Sequence, residues 1–324
     1  MTEFKSLLGP SFEAFIRYRK ACRNWNESSY LPNLRFFDKF CYEKYPNESS
    51  ITDEMADKWC AKRSTESNNS CISRIYVVLE YIRFCNSRTD TNTKIPGIPK
   101  AEKRTYIPHE FTQKELERFF EACDNYKPFH HNTTREKNCK YTLPVIFRLL
   151  YSTGMRTVEA RLLERKNVDL TNGVICIENT KGYEQHYVAM HKSMTDLMKK
   201  YDCKMQDLYP NRKYFFCSDN DAPRSRDMIM YFFRRMWDSV NDTHATAYEF
   251  RHNYAIININ KWLNSGFEFG DMLLYLSKSM GHVSVEQTVK YYYSIVPSLS
   301  DVLLDNTESG FNKIVPEVPN DDNK

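Results

Sequence analysis

Taken in chain order, five side chains could carry a reaction at phosphorus: Arg156, Lys181, Arg251, His282 and one tyrosine of the run Tyr291, Tyr292, Tyr293. They sit in four short stretches: STGMRTVEARLL, ENTKGYEQH, AYEFRHNYAI and SMGHVSVEQTVKYYY. Alone, each stretch has a plainer reading. Arg156 and Glu159 are three residues apart and could form a surface pair on one helical face. Lys181 could be a solvated turn lysine. Arg251, in an otherwise apolar helix, needs an anion or a way to the surface, and a structural carboxylate would serve. His282 could cap a helix and Tyr291 could lie in a core. Together the groups are more specific. A phosphodiester attacked at phosphorus gathers charge on its non-bridging oxygens, which two arginines can clamp bidentately. A lysine can protonate a departing alkoxide, and a tyrosine hydroxyl can form a covalent phosphoester. The three tyrosines cannot all serve one site, because neighbouring side chains on a helix point about 100° apart.

Helices must position most of these groups. Only 9 glycines and 13 prolines in 324 residues argue against a barrel or a sandwich. The length suits two domains, each with its own core. Residues 10–88 read as four helical segments. Thr52 is a plausible start for the third, and Ile72, Ile75, Val78, Leu79 and Ile82 form one stripe on the fourth. Residues 89–112 hold three prolines, a glycine and a basic cluster, and read as a linker. Thr112 and Glu115 fit a capping box at the next helix, and YTLPVIFRLLYSTGMR is an apolar helix that stops at Gly154. VDLTNGVICIENTKGYEQHYVAMH alternates β-branched runs with turn residues, predicting a small antiparallel sheet with KGYEQ in a hairpin turn. Helices then resume to the tyrosine run, and the polar tail after Ser309 is expected to fray. The expected fold class is mainly α with a small antiparallel β-sheet.

The net charge of +4 allows a nucleic-acid partner without showing one. Ten cysteines without a C-x-x-C pair read as reduced core thiols, and cysteine–histidine zinc spacing is absent. No apolar run reaches membrane-span length, and MTEFKSLLG lacks a signal-peptide pattern, so a cytoplasmic setting is expected.

In this order the motifs resemble those of the tyrosine recombinases, the phage-integrase and Xer-like family, over most of residues 110–300. LLYSTGMRTVEARLLERKNVDL resembles the box with the family's first arginine, and NGVICIENTKGYEQHYVAMH its hairpin with the catalytic lysine. YEFRHNYA resembles the H-x-x-R-H box, and MGHVSVEQTVKYYY the final L-G-H box, whose nucleophile lies nine residues after the histidine. That spacing selects Tyr291, with Tyr292 as second choice, and leaves Tyr292 and Tyr293 to packing. One departure stands out: Tyr248 occupies the place of the family's first histidine in that box. A phenol is a poorer base than imidazole at neutral pH, though it can hydrogen-bond a phosphate oxygen. His252, nearby, is expected to face away from Tyr248 and Arg251.

The resemblance implies residues 1–98 as a helical core-binding domain that clamps DNA, 99–108 as linker, 109–308 as the catalytic domain and 309–324 as a flexible polar tail. It implies strand cleavage and rejoining through a 3′-phosphotyrosyl link, with no metal or other cofactor and no ATP. Arg156 and Arg251 would stabilise the transition state, Lys181 protonate the leaving oxygen, and His282 and Tyr248 contact the phosphate. Glu159 would orient Arg156. The partner would be double-stranded DNA bound by a tetramer on two sites, with residues 297–306 docking in cis or on a neighbour and room for an accessory or directionality protein. Candidate DNA contacts are Asn68, Asn69, Ser70 and Arg74 at a helix start, Lys100, Lys103 and Arg104 in the linker, and Arg224 and Arg226 before a later helix. An ordinary capped helix and a solvated charge run are the plainer alternatives. A type IB topoisomerase, a telomere resolvase or a DNA-binding accessory protein with a weakened site would share much of the pattern.

Overall fold

The computed structural model describes residues 4–88, 91–102, 108–128, 134–178, 185–218, 221–263, 269–282 and 284–292, with backbone alone for 134–137, 263, 269 and 289–292. It is mainly helical with one small sheet and divides into two compact units, Met1–Tyr106 and Ile107–Lys324. Lys103, Arg104, Lys181, Tyr293, the segment 297–306 and the tail lie outside the described residues.

The first unit contains α1 (Gly9–Ala21), α2 (Glu27–Lys44), α3 (Asp53–Cys60) and α4 (Asn68–Arg88). Local signals set the starts. The Asn26 side chain accepts from Ser29 N and that of Thr52 from Met55 N, each satisfying a donor that a helix start leaves open. On α4 the residues Ile75, Val78, Leu79 and Ile82 are buried as the stripe predicts, while Ile72 is half-buried. Val77 and Tyr81 widen the buried face. Aromatic rings fill the middle, with Phe12 and Tyr81 centroids 4.7 Å apart and Phe37 and Trp59 5.2 Å apart. Buried Asp38 fastens the N-terminal segment to α2, accepting from Lys5 N at 2.8 Å and from Ser6 Oγ at 2.6 Å.

The second unit is built around α6 (Thr134–Thr153), with α5 (Gln113–Asp124) and α8 (Lys192–Leu208) beside it. Leu143, Ile146, Phe147 and Leu150 of α6 share one core with Phe119, Phe250 and the stacked pair Phe233–Trp237. The capping box of Thr112 and Glu115 is formed in full. The strands β1 (Val168–Asp169), β2 (Val174–Ile177) and β3 (His186–Ala189) make an antiparallel sheet in sequence order. Ile177 faces His186 in register, so β2 and β3 run toward the segment that holds Lys181. Four further helices matter for the site: α7 (Thr157–Arg161), α10 (Glu249–Leu263), α11 (Phe269–Ser279) and α12 (Val285–Tyr292). Between α8 and α10 runs α9 (Arg226–Asp238), capped by Ser225. Ala255 and Ile259 of α10 pack with Leu273 and Leu276 of α11, fixing the pair of helices whose ends carry Arg251 and His282.

All ten cysteines are free thiols. Seven are buried, but Cys22 and Cys203 are exposed and Cys176 is half-buried, so the expectation of core thiols holds for most and not for these. Among the described residues no helix is long and apolar enough to cross a membrane.

Candidate active site

The site begins where α6 ends. Gly154 takes a left-handed backbone, φ +64°, and a side chain there would collide with the ring of Tyr254. The chain turns sharply and sets Arg156 at the start of α7. Glu159, fully buried, accepts from Arg156 N at 2.8 Å and from Nη1 at 2.6 Å. The pair is therefore an anchored one, which holds the guanidinium at a fixed angle.

Arg251 sits on α10 and is only 2% exposed. Its partners are two backbone carbonyls and an imidazole: Nη1 donates to Gly154 O at 2.8 Å, and Nη2 donates to Met280 O at 2.7 Å and lies 2.8 Å from His282 Nε2. The structural carboxylate that its sequence context allowed is not found among the described residues. A buried guanidinium held by neutral acceptors has no carboxylate bonded to it among the described residues, so an incoming anion would meet an unmatched cation. Three of its five N–H groups are engaged, while Nε–H and one on Nη1 have no partner among the described residues.

A second left-handed glycine closes the arrangement. Gly281, φ +62°, follows α11 and its carbonyl accepts from Arg156 Nη2 at 2.9 Å. The adjacent carbonyls of residues 280 and 281 thus receive Arg251 and Arg156 respectively. A Cβ on Gly281 would lie 2.5 Å from Cε1 of His186, whose ring covers this turn from β3. Gly281→Ala is expected to destabilise the second unit by about 1–3 kcal/mol through left-handed strain and overpacking. Urea unfolding of the two proteins measures this, and unchanged stability would mean that the turn relaxes freely.

His282 is buried between these groups, with Nε2 toward Arg251 and Nδ1 2.8 Å from Thr288 Oγ1 on α12. Burial, then the charges of Arg251 and Arg156, push its pKa down to about 4, so the ring is neutral at pH 7. Tyr291 lies in the last turn of α12, three residues past Thr288. Its side chain and that of Tyr292 are outside the described residues.

Direct bonds thus join Arg156 to Glu159 and Arg251 to His282, and the adjacent carbonyls of residues 280 and 281 link the two pairs. Tyr248 stands just before α10, is 47% exposed, and shares only backbone with this set, through Arg251 N to Tyr248 O at 3.1 Å. His252 does not face away from it. The two rings meet edge to face at 5.4 Å, because four residues on a helix make nearly a full turn. Burial holds the His252 pKa below its ordinary value.

The candidate DNA contacts fare differently. Arg74 is buried inside the first unit, where Glu66 takes its Nη2 at 2.6 Å and the carbonyls of Trp59 and Ala61 take the remaining reach. That bond also holds the Glu66 carboxyl down at about 2. Arg224 is buried as well, with Nη2 3.3 Å from Thr142 Oγ1 and Nη1 3.8 Å from Cys139 Sγ. Both are corrected from surface contacts to interior side chains. Asn68 and Asn69 are engaged by the chain itself: their amides donate to Lys100 O at 2.8 Å and Glu102 O at 2.9 Å, and the Glu102 carboxylate accepts from Asn68 N. The chain's own groups thus occupy the start of this helix. Ser70, Lys100 and Arg226 are exposed.

Against known proteins, a profile of the phage integrase family matches residues 109–296, more than half of the chain. A tyrosine recombinase of Agathobacter rectalis is 27% identical over 279 residues, 81% of this chain and 86% of that protein. The tyrosine recombinase XerC of Bacillus subtilis is 21% identical over 317 residues, covering 92% and 96%. The solved structure of the XerH site-specific recombinase bound to its difH substrate, a pre-cleavage complex, superposes with a TM-score of 0.57 at 19% identity, over 81% of this chain and 74% of that one. A lambda integrase tetramer bound to a Holliday junction gives 0.57 at 13% identity, over 87% and 76%. These likenesses show the fold. The protein is an enzyme of the site-specific recombinase class. The chain belongs to the phage integrase family, the tyrosine recombinases.

Proposed function

We propose that this protein cleaves and rejoins DNA strands at specific sites through a covalent 3′-phosphotyrosyl intermediate. The observation that carries this reading is the Arg251 guanidinium, buried with no carboxylate partner among the described residues, bonded to His282 and linked to Arg156 through the 280–281 turn. An anion placed there would meet the unengaged N–H groups of both arginines, the arrangement that lowers the energy of a pentacovalent phosphorus. Tyr291 Oη attacks the scissile phosphorus, its phenolic proton passes to water, and the P–O5′ bond breaks. Lys181 Nζ gives its proton to the departing 5′ oxygen. Glu159 holds Arg156 at the required angle, His282 hydrogen-bonds a non-bridging oxygen, and Tyr248 supplies the contact that a histidine makes in relatives. The 5′-hydroxyl of a second strand reverses the step. The phosphotyrosine conserves the bond energy, so neither ATP nor a metal ion takes part.

The wider assembly belongs to the same proposal. The first unit binds the duplex as a core-binding domain, Lys103, Arg104 and Arg226 add backbone contacts, and four protomers act on two DNA sites. The test is covalent trapping with nicked duplexes drawn from the DNA flanking the gene, in the presence of a metal chelator. An SDS-resistant protein–DNA adduct is the expected result. Tight, specific binding to a flanking duplex with no adduct on any nicked form would overturn the reading.

A further inference from the structure

Thr288 lies within the stretch that carries His282 and Tyr291 but was not among the residues singled out there, yet it is 0% exposed and its hydroxyl lies 2.8 Å from His282 Nδ1. The direction of that bond follows from the other ring nitrogen. Nε2 is 2.8 Å from Arg251 Nη2, and a guanidinium has donors and no acceptor. Nε2 must therefore accept and carry no proton. In a neutral imidazole the single proton is then on Nδ1, and the Thr288 oxygen receives it. The opposite tautomer would set N–H against N–H at 2.8 Å inside a buried cluster. The groups facing the ring agree with a neutral state: Arg251 from α10, Arg156 from the start of α7 and His186 from β3 all disfavour added positive charge.

We propose that Thr288 is a positioning residue for strand cleavage, fixing the tautomer of His282 so that the Nε2 lone pair faces Arg251 and the anion site. The inference rests on the function proposed above. It has two consequences. The Arg251 guanidinium is held in place before DNA arrives, and a proton the ring takes up when a phosphate binds can enter only at Nε2, once Arg251 Nη2 has left that nitrogen for the anion. Thr288 also shares α12 with Tyr291, so one hydrogen bond ties the helix of the nucleophile to the His282 turn.

The experiment uses the full chain labelled with 15N-histidine, with His282→Asn to assign the resonance. In the DNA-free protein, His282 is expected to show a protonated Nδ1 and an unprotonated Nε2. Thr288→Ser should keep that pattern and the wild-type rate of adduct formation within about threefold. Thr288→Val, similar in shape but without the acceptor, should mix or invert the tautomers and slow adduct formation roughly ten- to a hundredfold. A protonated Nε2 in the wild-type protein overturns the proposal, as does a Thr288→Val protein with unchanged tautomer and rate. If Thr288→Val does not fold, the wild-type and Thr288→Ser spectra still decide. Correct tautomers in a wild-type protein that forms no adduct would count against the proposed function and leave the Thr288–His282 bond standing.

Discussion

Tyr291→Phe is expected to abolish the covalent adduct, a loss on the order of 10⁴-fold or more, because no other hydroxyl replaces the attacking atom. Tyr292→Phe and Tyr293→Phe should keep the adduct. The argument combines sequence spacing with the geometry of α12. Tyr291 lies nine residues after His282, and His282 is bonded to Thr288 on the same helix. From Thr288, position 291 is three residues on and position 292 is four, so both lie within about 60° of its direction around the helix. Helix register alone therefore leaves two candidates, and the nine-residue spacing chooses between them. The three variants are compared on one nicked duplex by SDS gel, with peptide mapping of the adduct. An adduct retained in Tyr291→Phe and lost in Tyr292→Phe would move the nucleophile by one residue. Loss in neither single variant would remove tyrosine 291 and 292 from the chemistry.

Much of this site was legible in the sequence because its residues announce themselves by type and order. Gly154 was visible as a helix stop, and it proves, with Gly281, to be one of the two turns whose carbonyls receive the arginines. What the sequence hid was burial. Arg74 was read as a surface contact at a helix start, yet Cys71, Ile75 and Val78 flank it at helical spacing and all are buried. Its side chain follows them inward and finds Glu66 eight residues away, a partner that no helical period links to it. Arg224 turns inward for a different reason, since it precedes α9 and packs against Thr142 of α6, 82 residues earlier. Thr288 escaped notice because a threonine in a polar stretch carries no signal of its own. Only the fold puts it beside His282. His252 was misplaced by counting, since four residues bring a helical side chain back to the same face.

Arg251→Lys is the sharper of two substitutions at the buried cation, because it preserves charge and removes geometry. The guanidinium reaches Gly154 O, Met280 O and His282 Nε2 at once, and a lysine ammonium is a single point at the end of a flexible stem. Adduct formation is expected to fall by roughly 10²–10³, as when one donor to a developing oxyanion is lost. Arg251→Ala should fall further and lose about 2–4 kcal/mol of stability, since it leaves a cavity and three unsatisfied acceptors. The pH dependence of unfolding supplies an independent check. His282 has a folded pKa near 4 against an ordinary value of 6.5, so the unfolded chain binds the proton first. Its contribution is complete above about pH 6.5 and declines as the pH falls toward 4. After burial, the Arg251 charge is the next cause of that depression, so Arg251→Ala should raise the His282 pKa and flatten the decline. Urea unfolding between pH 7 and 4, followed in wild type, Arg251→Ala and His282→Asn, reads the slope. A slope unchanged in Arg251→Ala would mean that the two side chains are not electrically coupled, and a wild-type cleavage rate in Arg251→Lys would mean that a point charge suffices where a two-handed clamp is expected.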